Sequence, residues 1–167
     1  QALTTAEIRA LKTSQLSQLL TSQIAALTSA SVFALTTEQL INLGSLQLLA
    51  LDSSQIKSLN SLQAQALTSD QLNTLTTTQF QSINAAALSA ISTTNISKLN
   101  TTQISNLSDT QLLAMTSSQI GGLSTQQLGQ LGGTKLSTFS AVQIKGLLTN
   151  QIASLSTAQL TSINPAA

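Results

Sequence analysis

Apolar side chains recur along this chain at alternating separations of five and three residues, so the pattern closes every eight. Leu3 opens the first octad, and the frame holds without insertion or deletion to Ile163. Counting from the Leu as position one, positions one and six are apolar; position six is Ile8, Leu16, Ile24 or Ile152, and Ala64 is its smallest occupant. Units read LTTAEIRA from Leu3, LTTEQLIN from Leu35, LTSDQLNT from Leu67 and LSTAQLTS from Leu155. So strict a period marks an array of repeated units, and it overrides the single globular domain that the length alone would suggest.

Neither regular element fits this spacing unbroken. A strand would throw residues an odd number apart onto opposite faces. A straight helix turns by about 800° over eight residues, so its apolar stripe would drift by roughly 80° per octad. Each octad must therefore contain its own change of direction.

Position two supplies that change. It is Thr4, Thr28, Thr36, Asp52, Asn60, Thr68, Thr76, Ser92, Asn100, Ser108, Thr116, Ser124 or Ser156 in most units, with Gly44 and Gly132 as variants. These are helix N-cap residues. Three residues on comes Gln15, Gln23, Gln39, Gln47 or Gln55, or Glu7 in the first unit, which completes a capping box. The preceding Leu and the position-six side chain are spaced as a hydrophobic staple. One octad thus encodes a helix start, about one and a half turns of helix and a restart.

The few charges agree. All five acids, Glu7, Glu38, Asp52, Asp70 and Asp109, fall at positions two to five. Arg9, Lys57, Lys98 and Lys145 fall at positions seven or eight, and Lys12 and Lys135 do not. That is the sorting a helix dipole favours. The expected fold is an all-α solenoid, a superhelical coil of very short helices, one per repeat, over 1–167 as a single array. The alternative is a parallel β-solenoid with Asn/Gln ladders; the dominance of Leu and the presence of only Val32 and Val142 weigh against it. So short a helix is unstable alone, so octads must pack on one another.

Composition narrows the chemistry. Charged residues are 7% and aromatics 2%, and there is no Cys or His. Acid–base, nucleophilic and thiolate–metal chemistry have almost no material, so no enzyme, metal or cofactor is expected. Ser97 or Ser137 beside a Lys is a formal dyad better read as surface side chains. Gly121-Gly122 and Gly132-Gly133 lack a phosphate-loop context and read as turns or small-residue contacts. A net charge of +1 gives no pull toward nucleic acid, and no apolar run reaches the roughly 20 residues of a membrane span. Asn95, Asn100 and Asn106 begin N-glycosylation sequons of a kind common by chance in such a repeat. The chain opens on Gln1 without an initiator Met, which suggests a processed product or an excised fragment. INPAA, with Pro165, looks like a stop.

Position seven is usually polar, yet it is Phe33, Ile41 and Leu49 in three consecutive octads and Leu113 once more. If equivalent positions stacked, the first three would form an apolar ladder and a possible lateral interface.

The units LTTEQL, LTTTQF and LTSSQI resemble the short Leu-Thr-x-x-Gln-Ile/Leu repeats of long, repetitive, adhesin-like secreted or surface proteins of bacteria. The resemblance covers essentially the whole chain. It implies an extracellular or cell-surface stalk, fibre or adhesin segment, and it transfers no catalytic or binding residue. The expected partners are other copies, by end-to-end self-association into a filament or longer array, and a cell surface or glycan. The alternative is a binding module that reads a repetitive ligand, a glycan polymer or ice, through regular Thr, Ser, Asn and Gln.

Overall fold

The computed structural model describes residues 3–163, so Pro165 lies outside the described residues. Among them there are twenty short helices and no strand, one helix to each octad, which removes the β-solenoid alternative. The helix Thr37–Ile41 illustrates the unit. Leu35 (φ −56°, ψ 136°) and Thr36 (φ −70°, ψ 158°) are extended, and the helix follows. Two extended residues thus make the change of direction at this junction. No described residue has a positive φ, so Leu and Thr occupy the bend without strain.

The caps form as the sequence predicts. Thr36 Oγ1 accepts from the Gln39 backbone N–H at 3.1 Å, and Gln39 Oε1 accepts from the Thr36 N–H at 2.9 Å. Where position two offers no side-chain acceptor, the glutamine half persists: the backbone N–H groups of Lys12, Leu20, Gly44 and Leu148 each donate to the Gln three residues on, at 2.7–3.1 Å. The far end closes through tighter bonds, as where the Leu43 N–H reaches the Leu40 carbonyl at 3.1 Å. Glu7, Glu38, Asp70 and Asp109 sit in first turns, and Arg9, Lys57 and Lys145 in last turns.

The chain divides into two compact units between Ile91 and Ser92, at a point where the octad frame is unbroken. Within each, a helix packs on the third helix along. In the first unit Thr5–Ala10 packs on Ser29–Ala34, which packs on Ser53–Lys57. In the second, Thr93–Ser97 packs on Ser117–Gly121, which packs on Ala141–Lys145. Both units are therefore coils of short helices, with successive octads going round the coil rather than up it.

Positions one and six form the interior. Position-six side chains from Ile8 to Leu136 are at most 1% exposed, and position-one side chains are buried from Leu27 to Leu155. At two anchors per octad this core is thin, and each octad relies on the turns of coil before and after it.

Candidate functional site

No cluster of reactive side chains dominates this surface; the recurring polar chemistry is the position-five glutamine. It occupies fifteen of the twenty octads, and from Gln39 onward it is buried in most of them. In most octads its oxygen serves its own helix, as above; Thr101–Ser105, with Gln103, has no capping box. Its amide nitrogen turns outward to the preceding turn of coil. Gln39 Nε2 donates to the carbonyls of Ile8 and Leu11, both at 2.8 Å. Gln63 donates to Val32 and Leu35 at 3.0 and 2.9 Å. In the second unit Gln151 donates to Ile120 and Leu123 at 3.0 and 2.7 Å.

The targets lie 28 and usually 31 residues back, position one of one octad and position six of the octad before it, often with the position-seven carbonyl 30 back as well; Gln159 reaches the carbonyls 28 and 30 back. A bond 28 residues back spans three and a half octads, so each bridge lands on a junction between two helices below. There the position-six carbonyl already accepts from the next position-one N–H, as Ile8 does from Leu11 at 3.3 Å, and the glutamine adds a second bond to it. One side chain thus satisfies an N-terminal donor of its own helix and C-terminal acceptors of another. Each such bond contributes about 1 kcal/mol net, and an unmet buried carbonyl costs more.

Two of the exceptions, Ser31 and Lys135, keep the donor. Ser31 replaces Gln in the fourth octad, and its Oγ donates to the Leu3 carbonyl at 2.8 Å. Lys135 replaces it later, and its Nζ donates to the carbonyls of Leu107, at 2.7 Å, and Ser105. A lysine cannot accept the bond from the N-cap N–H, and the helix there, Gly133–Leu136, has no side-chain cap. This accounts for a Lys at position five, and in so short a helix Lys135 also stands in the last turn.

Sequence reasoning found the capping half of this device and missed the bridging half. A signal was present: a capping box at a helix N-terminus favours Glu on electrostatic grounds, yet Gln is used almost throughout. The amide is what the carboxylate cannot replace.

The other sequence candidates divide. Ser97 and Ser137 hydroxyls donate to carbonyls of their own helices, at Thr94 (2.9 Å) and Thr134 (2.8 Å). Asn100 caps its helix through the Gln103 N–H, and Asn106 Nδ2 donates to the Thr102 carbonyl. Gly121 makes a close backbone approach: a Cβ there would lie 2.6 Å from the Gly146 carbonyl oxygen. Phe33, Ile41 and Leu49 are 51, 42 and 41% exposed, but they lie in consecutive helices. Since stacking joins every third helix, they are set side by side round the coil and form no ladder. Phe33 instead borders a groove of about 740 Å³ with Thr5, Ala6, Arg9, Ser29 and Ser58. Arg9 lies on the groove wall, its Nε donating to the Ala34 carbonyl at 3.3 Å.

Among the described residues no helix is long and apolar enough to cross a membrane. No curated protein matches the chain. A family model described as the ALTTAQ repeat matches residues 1–29, and because the same octad frame runs on to Ile163, the chain is a repeat protein.

Proposed function

We propose that this chain is a non-enzymatic structural element, a segment of an extracellular or cell-surface stalk, fibre or adhesin. The observation that carries this reading is the bridge from Gln39 to Ile8 and Leu11 and its repetition through both units. A module built by nearest-neighbour stacking gains length by adding octads, with no new core to design. The sequence invests its buried polar groups in holding coil to coil, and its exposed Ser and Thr hydroxyls in local bonds such as Ser97 to Thr94. With no His or Cys and few charged residues, the composition offers little material for acid–base or nucleophilic work. Self-association, by which copies extend the array, belongs to the same role.

Two experiments test it. Small-angle scattering on the chain and on a tandem copy measures how the longest dimension grows. A stalk doubles it, whereas a globule of twice the length grows by only about 1.3-fold; the second result overturns the proposal. Antibody labelling of intact source cells tests location, and labelling only after permeabilisation removes the surface role.

A further inference from the structure

The aromatic side chains of this chain are all Phe, and only Phe33 faces outward. Phe80 and Phe139 stand at positions six and one and are buried. Phe33 stands at position seven and is 51% exposed. Its helix, Ser29–Ala34, packs between Thr5–Ala10 on the preceding turn of coil and Ser53–Lys57 on the following one. Position seven of these helices is Arg9, Phe33 and Lys57 in order, so an aromatic stands between two bases.

The groove of about 740 Å³ that Phe33 borders draws its lining from all three of these octads, on the flank of the coil. Position four keeps it open. Ala6 and Ala30 line it there, where other octads carry the exposed Leu46 and Leu62. Thr5, Ser29 and Ser58 supply hydroxyls, and none of the described lining residues is acidic. Arg9 Nε donates to the Ala34 carbonyl at 3.3 Å. That bond holds the guanidinium on the wall and uses one of its five N–H donors.

Resting on the extracellular reading above only for where such a ligand is met, we propose that this groove binds an acidic saccharide, a pyranose ring that carries a carboxylate. A sugar ring has an apolar face of C–H bonds, and these meet the negative face of the Phe33 ring. The carboxylate takes the remaining donors of Arg9 as charge-assisted bonds. The hydroxyls of Thr5, Ser29 and Ser58, each both donor and acceptor, exchange hydrogen bonds with those of the sugar. Other ligands use less of this lining. A hydrocarbon would cover Arg9 and the hydroxyls without giving them partners. A simple anion such as phosphate would leave Phe33 in water.

The test is titration of the purified chain at neutral pH with tetrasaccharides of glucuronate, galacturonate or mannuronate, each beside its neutral methyl ester. Nuclear magnetic resonance signals of the Phe33 ring and the Arg9 guanidinium report binding. At least one acid is expected to bind with a Kd of about 1 mM or tighter, and its ester at least ~10-fold more weakly. Arg9→Gln and Phe33→Gln should each weaken binding by about 10-fold. The coil accepts glutamine at position seven, as Gln65 and Gln81 show. Ala30→Leu should fill the groove and abolish binding, and the coil accepts leucine at position four, as at Leu46 and Leu62. Circular dichroism confirms that each variant is helical. No binding by any of the acids below about 10 mM, or an ester that binds as tightly as its acid, overturns the proposal. Binding that survives Ala30→Leu overturns it too, because the saccharide then sits elsewhere. A tetraglutamate peptide that binds as tightly as the best saccharide overturns it in favour of a general anion site. None of these outcomes touches the stalk role, which scattering from the tandem copy decides separately.

Discussion

Asn84 donates its side-chain amide to the Leu59 carbonyl at 2.7 Å, the acceptor that lies 28 residues before Ala87. Ala87 stands where other octads carry the bridging glutamine, and it has no group to give. The N-cap residue three positions earlier takes over the task, with a further bond to the Lys57 carbonyl at 3.1 Å, while its oxygen still caps the Ala87 N–H at 2.9 Å. The donor has moved from position five to position two, and the acceptors have stayed.

This exchange predicts a rescue. Asn84→Ser keeps a capping oxygen and loses the amide, so it should cost about 1–2 kcal/mol. Adding Ala87→Gln should restore most of that loss, although Ala87→Gln alone should gain little. A double-mutant cycle by chemical denaturation measures the coupling. Additive effects would separate the two positions and refute the exchange.

The Leu59 carbonyl also marks where sequence reasoning stopped. The octad, its helix and its caps are local, and propensity and spacing encode them within eight residues, as at Thr36 and Gln39. The bridge is not local. Nothing in an eight-residue word states how many words make a turn, so the partner of Gln39 could not be placed at Ile8. Because the helix direction changes in every octad, identical positions do not stack in sequence order, and the ladder of Phe33, Ile41 and Leu49 dissolved for that reason. Ala87 reads as a plain defect until Asn84 is seen beside Leu59.

Ile104 and Ser105 test the phase of the coil. Ile104 is fully buried, whereas Ser105 is half-buried with its hydroxyl bonded to Thr102, less open than the sequence pattern suggests. Ile104→Asp puts an unpaired carboxylate into the interior and should cost about 4 kcal/mol. Ser105→Asp should stay within about 1 kcal/mol of wild type. Thermal unfolding followed at the helical band compares them, and equal losses would mean that the octad frame is misplaced.

The glycines of the second unit separate backbone approach from helix propensity. Gly146 lies against the Ser117 backbone, closer than a Cβ tolerates, and Gly121 in turn faces Gly146. Gly129 has nothing within 4 Å of its Cβ direction. Gly146→Ala should therefore destabilise, by about 1–3 kcal/mol from overpacking. Gly129→Ala should stabilise, by about 0.5–1 kcal/mol, because it removes a flexible residue from a helix. Melting temperatures moving in opposite directions are the expected result.

Glu7 should make the first octad sensitive to acid. The Thr4 backbone N–H, and then the Thr4 hydroxyl, hold its carboxyl below the ordinary value of 4.5. A depressed acid contributes its capping above the unfolded pKa and loses it as pH falls through the folded pKa. The Thr4 amide should therefore lose hydrogen-exchange protection as pH falls below the ordinary carboxylate range. The equivalent amide of Thr36, which bonds to uncharged Gln39, should hold. Glu7→Gln should abolish the difference, and an unchanged Thr4 response in that variant would assign it to another group.

Gln63 isolates the amide itself. It is buried, accepts from the Asn60 N–H at 3.0 Å and donates to the carbonyls of Val32, Phe33 and Leu35. Gln63→Glu keeps the capping oxygen and changes only what faces the preceding turn. At neutral pH an unpaired carboxylate then meets carbonyl oxygens, at a cost of about 3 kcal/mol. Burial and those oxygens both favour the protonated acid, so its folded pKa rises above the unfolded value. The deficit should therefore shrink as pH falls toward the unfolded pKa, since the neutral acid can donate to one of the carbonyls. Gln15→Glu makes the same chemical change at an exposed residue that has no described residue 28 positions before it. It should cost almost nothing in the monomer. Denaturation of both variants at pH 7 and pH 4 decides the matter: a similar loss at the two positions would mean that glutamine serves capping alone and that the coils are held by their apolar anchors.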